Sequence, residues 1–344
     1  MGKIELDHTG SGGGVTLSSD GTDLLLDGTA IGGGGGGGSA LELYAENPSS
    51  PTAPSATGTN AVAIGDQSVS AGTRSIALGD SYASGLNSFA LSIDNNTSSY
   101  GATANNSIAM GFQAKATSSN AVAIGRRAIA SGFGGVAIST SGWSGSGASA
   151  EAQGTIAIGN QITTGTTGVY SICLGTDIAN TQRDAINLGR EIKNDTKGKF
   201  VWGNGQFSAN GDSQEGRFIL RSDTTDATSE ALTTNKGIAS TDNQIILPNN
   251  SAYAFHGTIV ARQQASGGTA SAAWKIEGLI RREGSAGTTV LVNSATTVLD
   301  NTPSWGMALS ADTTNGGLAI TVTGAASTNI RWVATIHTSE VTYA

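Results

Sequence analysis

The chain has little of what most chemistry needs. In 344 residues there are one cysteine, three histidines, five prolines and three methionines, and only 13% of residues are charged. Cys173, being alone, excludes an intrachain disulfide. It stands where a repeated phrase otherwise carries alanine, which marks it as a small buried filler and not a reactive thiol. His8, His256 and His337 are far apart with no metal-ligand spacing, so no metal or cofactor is expected. Apolar runs stop at about five residues, too short for a spanning helix, and no membrane insertion is expected. The net charge is −8 with no basic run, which excludes the clustered cations a nucleic-acid partner demands. The opening Met1-Gly-Lys-Ile-Glu-Leu-Asp7 lacks the basic start and apolar centre of a signal peptide, so synthesis in a cytoplasm is the expectation.

What the chain has is glycine, fifty of them, and a phrase said nine times between residues 60 and 190. Each copy runs small or polar, aliphatic, small, aliphatic, then usually glycine. The paired aliphatics are Val62 and Ile64, Ile76 and Leu78, Phe89 and Leu91, Ile108 and Met110, and Val122 and Ile124. Then follow Val136 and Ile138, Ile156 and Ile158, Ile172 and Leu174, and Ile186 and Leu188. Start-to-start spacings are 14, 13, 19, 14, 14, 20, 16 and 14, the mark of a solenoid. A weaker phrase between copies, such as Gly125-Arg-Arg-Ala-Ile-Ala-Ser-Gly132, makes each coil two short strands and two tight turns. Alternation sends the two aliphatics of a phrase to one face, and these eighteen residues are expected to form the core of the roll. Glycines belong at the corners, where positive φ or close approach is required.

These phrases resemble the head repeat of trimeric autotransporter adhesins, the YadA-like head. The resemblance implies a trimeric left-handed parallel β-roll over residues 60–190. Two large apolar residues per coil are few against a backbone ordering cost of about 1–2 kcal/mol per residue, so side-by-side packing of three rolls is expected. Intervals longer than 14 place extra residues in loops at 94–100, 141–147 and 165–170. Their aromatics, Tyr100, Trp143 and Tyr170, are candidate receptor contacts or caps on the coil edges.

Around the roll, residues 1–31 read as a β-rich segment of three short strands that anchors the chain on copies of itself or on another protein. Residues 32–59 hold seven consecutive glycines and three prolines, a hinge and linker. Residues 191–211 read as a solvated neck. Residues 212–344 alternate like ordinary strands, at 217–222, 244–247, 252–263, 273–282, 288–299, 304–311, 317–323 and 330–343, with an Asn-Gly turn at 315–316. Eight strands without a helix point to an antiparallel β-sandwich or jelly roll, with Trp274 and Trp332 in its core. Gly211-Asp-Ser-Gln-Glu-Gly216, Ile259-Val-Ala-Arg262 and Ala311-Asp-Thr-Thr-Asn-Gly-Gly317 resemble the C-terminal domain of bacteriophage tail-fibre-like proteins, which implies a virion role at the host-contacting end.

The expected fold is therefore all-β throughout. No nucleophile elbow, phosphate loop or Cys/His pair is present. Asp66, Asp80, Asp94, Glu151, Asp177 and Asp184 sit singly at turns, so no catalytic residue is assigned and a non-enzymatic protein is expected. The expected role is a homotrimeric phage tail fibre or spike on the virion exterior, binding a host-surface glycan or protein. Alternatives are a capsid head fibre, a polysaccharide depolymerase spike that uses paired carboxylates, or a bacterial trimeric adhesin. The last would need an export signal and a membrane anchor.

Overall fold

The computed structural model describes residues 52–94, 99–140 and 145–343, with four short strands nearer the N-terminus. Those strands, Ile4–Leu6, Val15–Ser19, Leu24–Leu26 and Thr29–Ala30, form an antiparallel meander, one strand more than the three read from sequence. The glycine hinge and the first part of the linker lie outside the described residues. Two single-turn 3₁₀ segments, Ala265–Gly267 and Ala286–Thr288, are the only helices among the described residues; the rest of the regular structure is β.

From Ser55 onward the chain winds as a parallel solenoid. The first strand of each coil carries the phrase, from Val62–Ile64 through Val122–Ile124 to Ile186–Asn194. Each lies in register on the next, so the middle residues form one column: Ala63, Ala77, Ala90, Ala109, Ala123, Ala137, Ala157, Cys173 and Asn187. This column is the buried one. Facing it from the second strands are Ser70, Ala83, Ala102, Ala116, Ala130 and Ala150, also buried.

The lumen is thus lined with alanine and serine, and the aliphatic pairs point the other way. This corrects the expected core. Val62, Ile76, Phe89, Ile108, Val122, Val136, Ile156, Ile172 and Ile186 make one outward column, half-buried or exposed. Ile64, Leu78, Leu91, Met110, Ile124, Ile138, Ile158, Leu174 and Leu188 make the second. Alternation fixes that the pair shares a face but not which face. The narrow lumen settles it, because two facing strands this close admit only side chains of one or two heavy atoms.

Turn chemistry repeats as strictly. Asn60, Arg74, Asn87, Asn106 and Asn120 all take the left-handed conformation, φ 54–60°, immediately before the phrase. Asparagine tolerates that region best among residues with a side chain. The amides also chain along the roll: Asn87 Nδ2 donates to Asn106 Oδ1 at 3.0 Å, and Asn106 Nδ2 to Asn120 Oδ1 at 3.2 Å.

The repeat does not stop at residue 190. Phe200–Asn204 lies parallel and in register on Ile186–Asn194, pairing Ile186 with Phe200, Leu188 with Trp202 and Gly189 with Gly203. It is a tenth rung, in the stretch read as a neck. In the preceding rungs the two strands of a coil merge into continuous strands, Ile156–Thr163, Ile172–Asn180 and Ile186–Asn194. The lumen changes with them, admitting Ile162, Ile178 and Ile192 with Asn180, Asn187 and Asn194. Gly175 shows how close these rungs run. Its φ is +141°, and an added Cβ would stand 1.7 Å from the carbonyl oxygen of Gly189.

The C-terminal strands are numbered here β1 (Ser213–Thr224), β2 (Ser229–Ala231), β3 (Ile245–Ile246), β4 (Ser251–Gln263), β5 (Ser271–Arg282), β6 (Val290–Asp300), β7 (Gly306–Asp312), β8 (Gly317–Thr323) and β9 (Ile330–Thr342). The eight strands expected from sequence are present; β2 was missed. One antiparallel sheet runs β1-β9-β4-β5-β6, and the tenth rung joins it by pairing antiparallel with β1. In the other sheet β8 pairs with β7 along one edge and with β2 and β3 along the other. Both sheets feed one core, including Phe218, Ile259, Trp274 and Trp332 from the first and Leu232, Ile245, Leu318 and Ile320 from the second. Trp332 stacks on Trp274 with centroids 5.8 Å apart, and its indole N–H reaches Thr224 Oγ1 at 3.0 Å.

If the lumen is as narrow as described, Ala123→Leu costs the roll about 1–3 kcal/mol through overpacking. The thermal midpoint of the variant should fall measurably in calorimetry. An unchanged midpoint would show a lumen with spare room.

Candidate functional site

Four places hold the groups from which a function can be built. The first is the outward apolar face. Its two columns run up to Phe200 and Trp202, a stripe two side chains wide and about 45 Å long at the strand spacing of about 4.8 Å, and end where β1 places Arg217 and Glu215 beside them. Val62 is 41% exposed, Leu188 44% and Trp202 52%. Contiguous apolar surface on that scale marks a contact face.

The second is the set of loops. Tyr100 is half-buried and packs against the roll interior. Tyr170 is 52% exposed at φ 58°, yet its ring lies over Gly154 of the preceding coil and its hydroxyl accepts from Gln153 Nε2 at 3.1 Å. Both lie on the roll as caps do. Trp143 falls outside the described residues.

The third is an edge of the early coils, where the charges of Asp66 and Asp94 act on Asp80. The carboxyl of Asp80 is held above its usual range, first by burial and then by the charges of Asp94 and Asp66. Its Oδ1 is buried without a hydrogen-bond partner among the described residues. These aspartates, single in sequence, are brought together by the coil repeat.

The fourth is the cleft between the last rungs and the C-terminal domain, about 480 Å3, lined by residues that include Lys193, Asp195, Lys199, Asp212, Tyr253 and Arg282. Lys199, read from sequence as a solvated neck residue, is buried. Its ammonium pairs with Glu340 Oε2 at 2.7 Å, with side-chain exposures of 4% and 0%, and stands 5.4 Å from the Phe218 ring centre. Glu340 also accepts from Gln214 Nε2 at 2.9 Å and Thr338 Oγ1 at 2.6 Å, so its charge is fully solvated by the protein. Burial and the adjacent Glu340 push the Tyr253 phenol well above its usual value. Asp212 accepts the backbone N–H groups of Phe207, Ser208 and Ala209 at 2.9, 2.7 and 2.8 Å. Burial opposes its charge, but these bonds prevail and hold its carboxyl below the ordinary value.

Cys173 is buried as expected. Burial raises its thiol to about 11, against a lowering hydrogen bond from Asn187. His256 and His337, distant in sequence, are cross-strand partners with rings stacked 5.2 Å apart. Among the described residues no three His, Cys, Asp or Glu converge on one point. No helix there is long and apolar enough to cross a membrane.

The YadA head domain repeat matches twice, at residues 56–81 and 102–128, both within the solenoid. No curated protein sequence matches the chain. Among solved structures it is similar to the tailspike protein gp49 from Acinetobacter baumannii bacteriophage Fri1, described as a capsular polysaccharide depolymerase. The identity is 10%, covering 80% of this chain and 53% of that one, with a TM-score of 0.22. It is also similar to the Acinetobacter baumannii phage AM24 tailspike protein at 10% identity, covering 81% and 58%, with a TM-score of 0.21. The chain spans just over half the length of these tailspikes. The expectation of a non-enzymatic protein is corrected here: one of these tailspikes is described as a capsular polysaccharide depolymerase.

Removing one partner of the buried pair, as Lys199→Met or Glu340→Gln, leaves a stranded group and should cost about 3–5 kcal/mol in denaturant unfolding. The double variant should recover much of that loss, and strict additivity would show that the pair does not couple. For Asp212 the folded carboxyl lies below its unfolded value, so its contribution is full above that unfolded value, near 3.8, and is lost as pH falls through the folded value. Asp212→Asn should lower stability at neutral pH and flatten the acid limb of the stability curve.

Proposed function

We propose that the protein is a homotrimeric phage tail spike or fibre on the virion exterior, which holds the particle to a polysaccharide-bearing host surface. The observation that carries this reading is the outward apolar face of the roll. An alanine-lined lumen cannot supply the burial that a rod of ten rungs requires, while two ten-residue apolar columns stand on its surface. Threefold packing of a left-handed roll along these columns covers them and adds the missing burial. It also presents three copies of each weak site at once, which raises avidity. In this reading the two-sheet domain is a β-sandwich that reaches outward, and the N-terminal meander docks on another virion protein. The same architecture serves a capsid fibre, so position on the particle separates the two.

A second reading has one observation of its own. Asp80, with a raised carboxyl and an unpartnered buried oxygen, beside Asp66 and Asp94, supplies the acid-and-carboxylate pairing that glycoside cleavage uses. In that reading the spike cuts the surface polysaccharide it holds.

Light scattering on the purified chain should give three times its 34.3 kDa mass. Replacing Ile108 and Val122 with serine should shift the species toward monomer while the circular dichroism of the roll persists. A wild-type monomer would overturn the trimer. Immunogold labelling of intact particles should decorate the tail, and label on the capsid alone would favour the head fibre. For cleavage, incubation with host capsule should release reducing ends, and Asp80→Asn should abolish that release. Release undiminished in the variant would remove Asp80 from the chemistry.

A further inference from the structure

The long sheet of the C-terminal domain begins beside the tenth rung and ends about 20 Å further on, measured along β1 beyond Arg217. At that far end Asp223, Arg331 and Arg262 stand side by side on β1, β9 and β4, each the register partner of the next. Cross-strand partners share a face, so the three side chains rise together from the outward surface. Two arginines directly opposite one another weaken a sheet unless an anion lies between them. The carboxylate of the row is already taken, since Asp223 accepts from Lys236 Nζ at 2.7 Å. Arg262 gives one Nη1–H to the carbonyl of Ala270 at 3.3 Å. Among the described residues the guanidinium of Arg331 has no hydrogen bond or ion pair. Arg221, two residues before Asp223 on the same strand face, adds a further exposed cation. A chain with a net charge of −8 thus gathers four cations around one aspartate at the remote end of its longest sheet.

The row is also walled. The turn after β4 and the approach to β9 close around it, leaving a cavity of about 560 Å3 whose lining includes Thr225, Arg262, Gln263, Asn329 and Arg331. The walls are fastened to each other: Gln264 N–H donates to the Asn329 carbonyl at 2.8 Å, and Asn329 Nδ2 donates to Gln264 Oε1 at 2.7 Å. A concavity in the range of about 300–1,000 Å3 with fixed polar walls is of the size that takes a small ligand.

We propose that this pocket binds an acidic sugar unit of the surface polysaccharide, the carboxylate lying between the guanidiniums of Arg262 and Arg331. The planar forks of the two arginines match a carboxylate bidentately, and Thr225, Gln263 and Asn329 make the rest of the lining polar. This rests on the attachment reading above, and places recognition at the tip of the C-terminal domain, not on the loops of the roll.

The test is titration of the purified full chain with glucuronate, methyl glucoside and glucose 1-phosphate, followed by NMR shifts or calorimetry. Glucuronate should bind in the millimolar range and methyl glucoside should not. Arg331→Ala and Arg262→Ala should each abolish binding, while light scattering and thermal midpoint confirm an intact assembly. Lysine at both positions keeps the charge but removes the forks, and should weaken glucuronate binding about tenfold. No glucuronate binding, binding of the phosphate alone, or binding unaffected by either alanine variant would each overturn the pocket. Adhesion to capsulated cells distinguishes this from the attachment reading. A double-alanine variant that adheres as well as the wild-type protein leaves attachment standing and removes this site from it.

Discussion

The constraint on which everything else depends is the width of the roll. Parallel rungs stacked through backbone hydrogen bonds bring the two walls of each coil so close that Ala77, Ala109 and Ala123 fill the space between them. Once the inside of the early coils is taken up by alanine and serine, with Ile93 the exception, the paired aliphatics of the phrase go outside. The outward columns and the role of cysteine at position 173 both follow. The roll is a backbone structure with a side-chain exterior, the reverse of an ordinary globular core.

Near its C-terminal end that regime gives way. Ile162, Ile178 and Ile192 enter the lumen, the strands lengthen, and Asn187 and Asn194 bond to each other across it at 2.9 Å. The last rung then hands its edge to β1, and Lys199 passes inside the next core to meet Glu340. This buried ion pair joins segments 141 residues apart in sequence, and pairs of this kind contribute little net stability while costing much if one partner is removed.

The phrases made the solenoid and its coil length legible, because they repeat in both residue type and spacing. They left the direction of the aliphatics open, and the usual preference for large residues inside points the wrong way for Val62 or Leu188. The tenth rung is not legible in the phrase because Val201 stands where the earlier copies carry a small middle residue and Trp202 where they carry an aliphatic, although its spacing of 14 is regular. In the C-terminal domain eight strands were readable from alternation, whereas Ser229–Ala231 is short and polar. The pairs His256 with His337 and Arg262 with Arg331 depend on the register of β4 against β9, which no local pattern encodes. The column of Asp66, Asp80 and Asp94 depends in the same way on which coil lies on which.

The strand lengths along the roll have a mechanical meaning. Its rungs stack along the axis, so a pull on the two ends loads the hydrogen bonds between successive rungs in series, and such a series parts at its weakest member. Early rungs meet through strands of two and three residues, such as Val69–Ser70 and Ile76–Leu78. Late rungs meet through strands of eight and nine, Ile156–Thr163 and Ile172–Asn180. Under tension the roll therefore gives way first in its N-terminal half and holds longest beside the C-terminal domain.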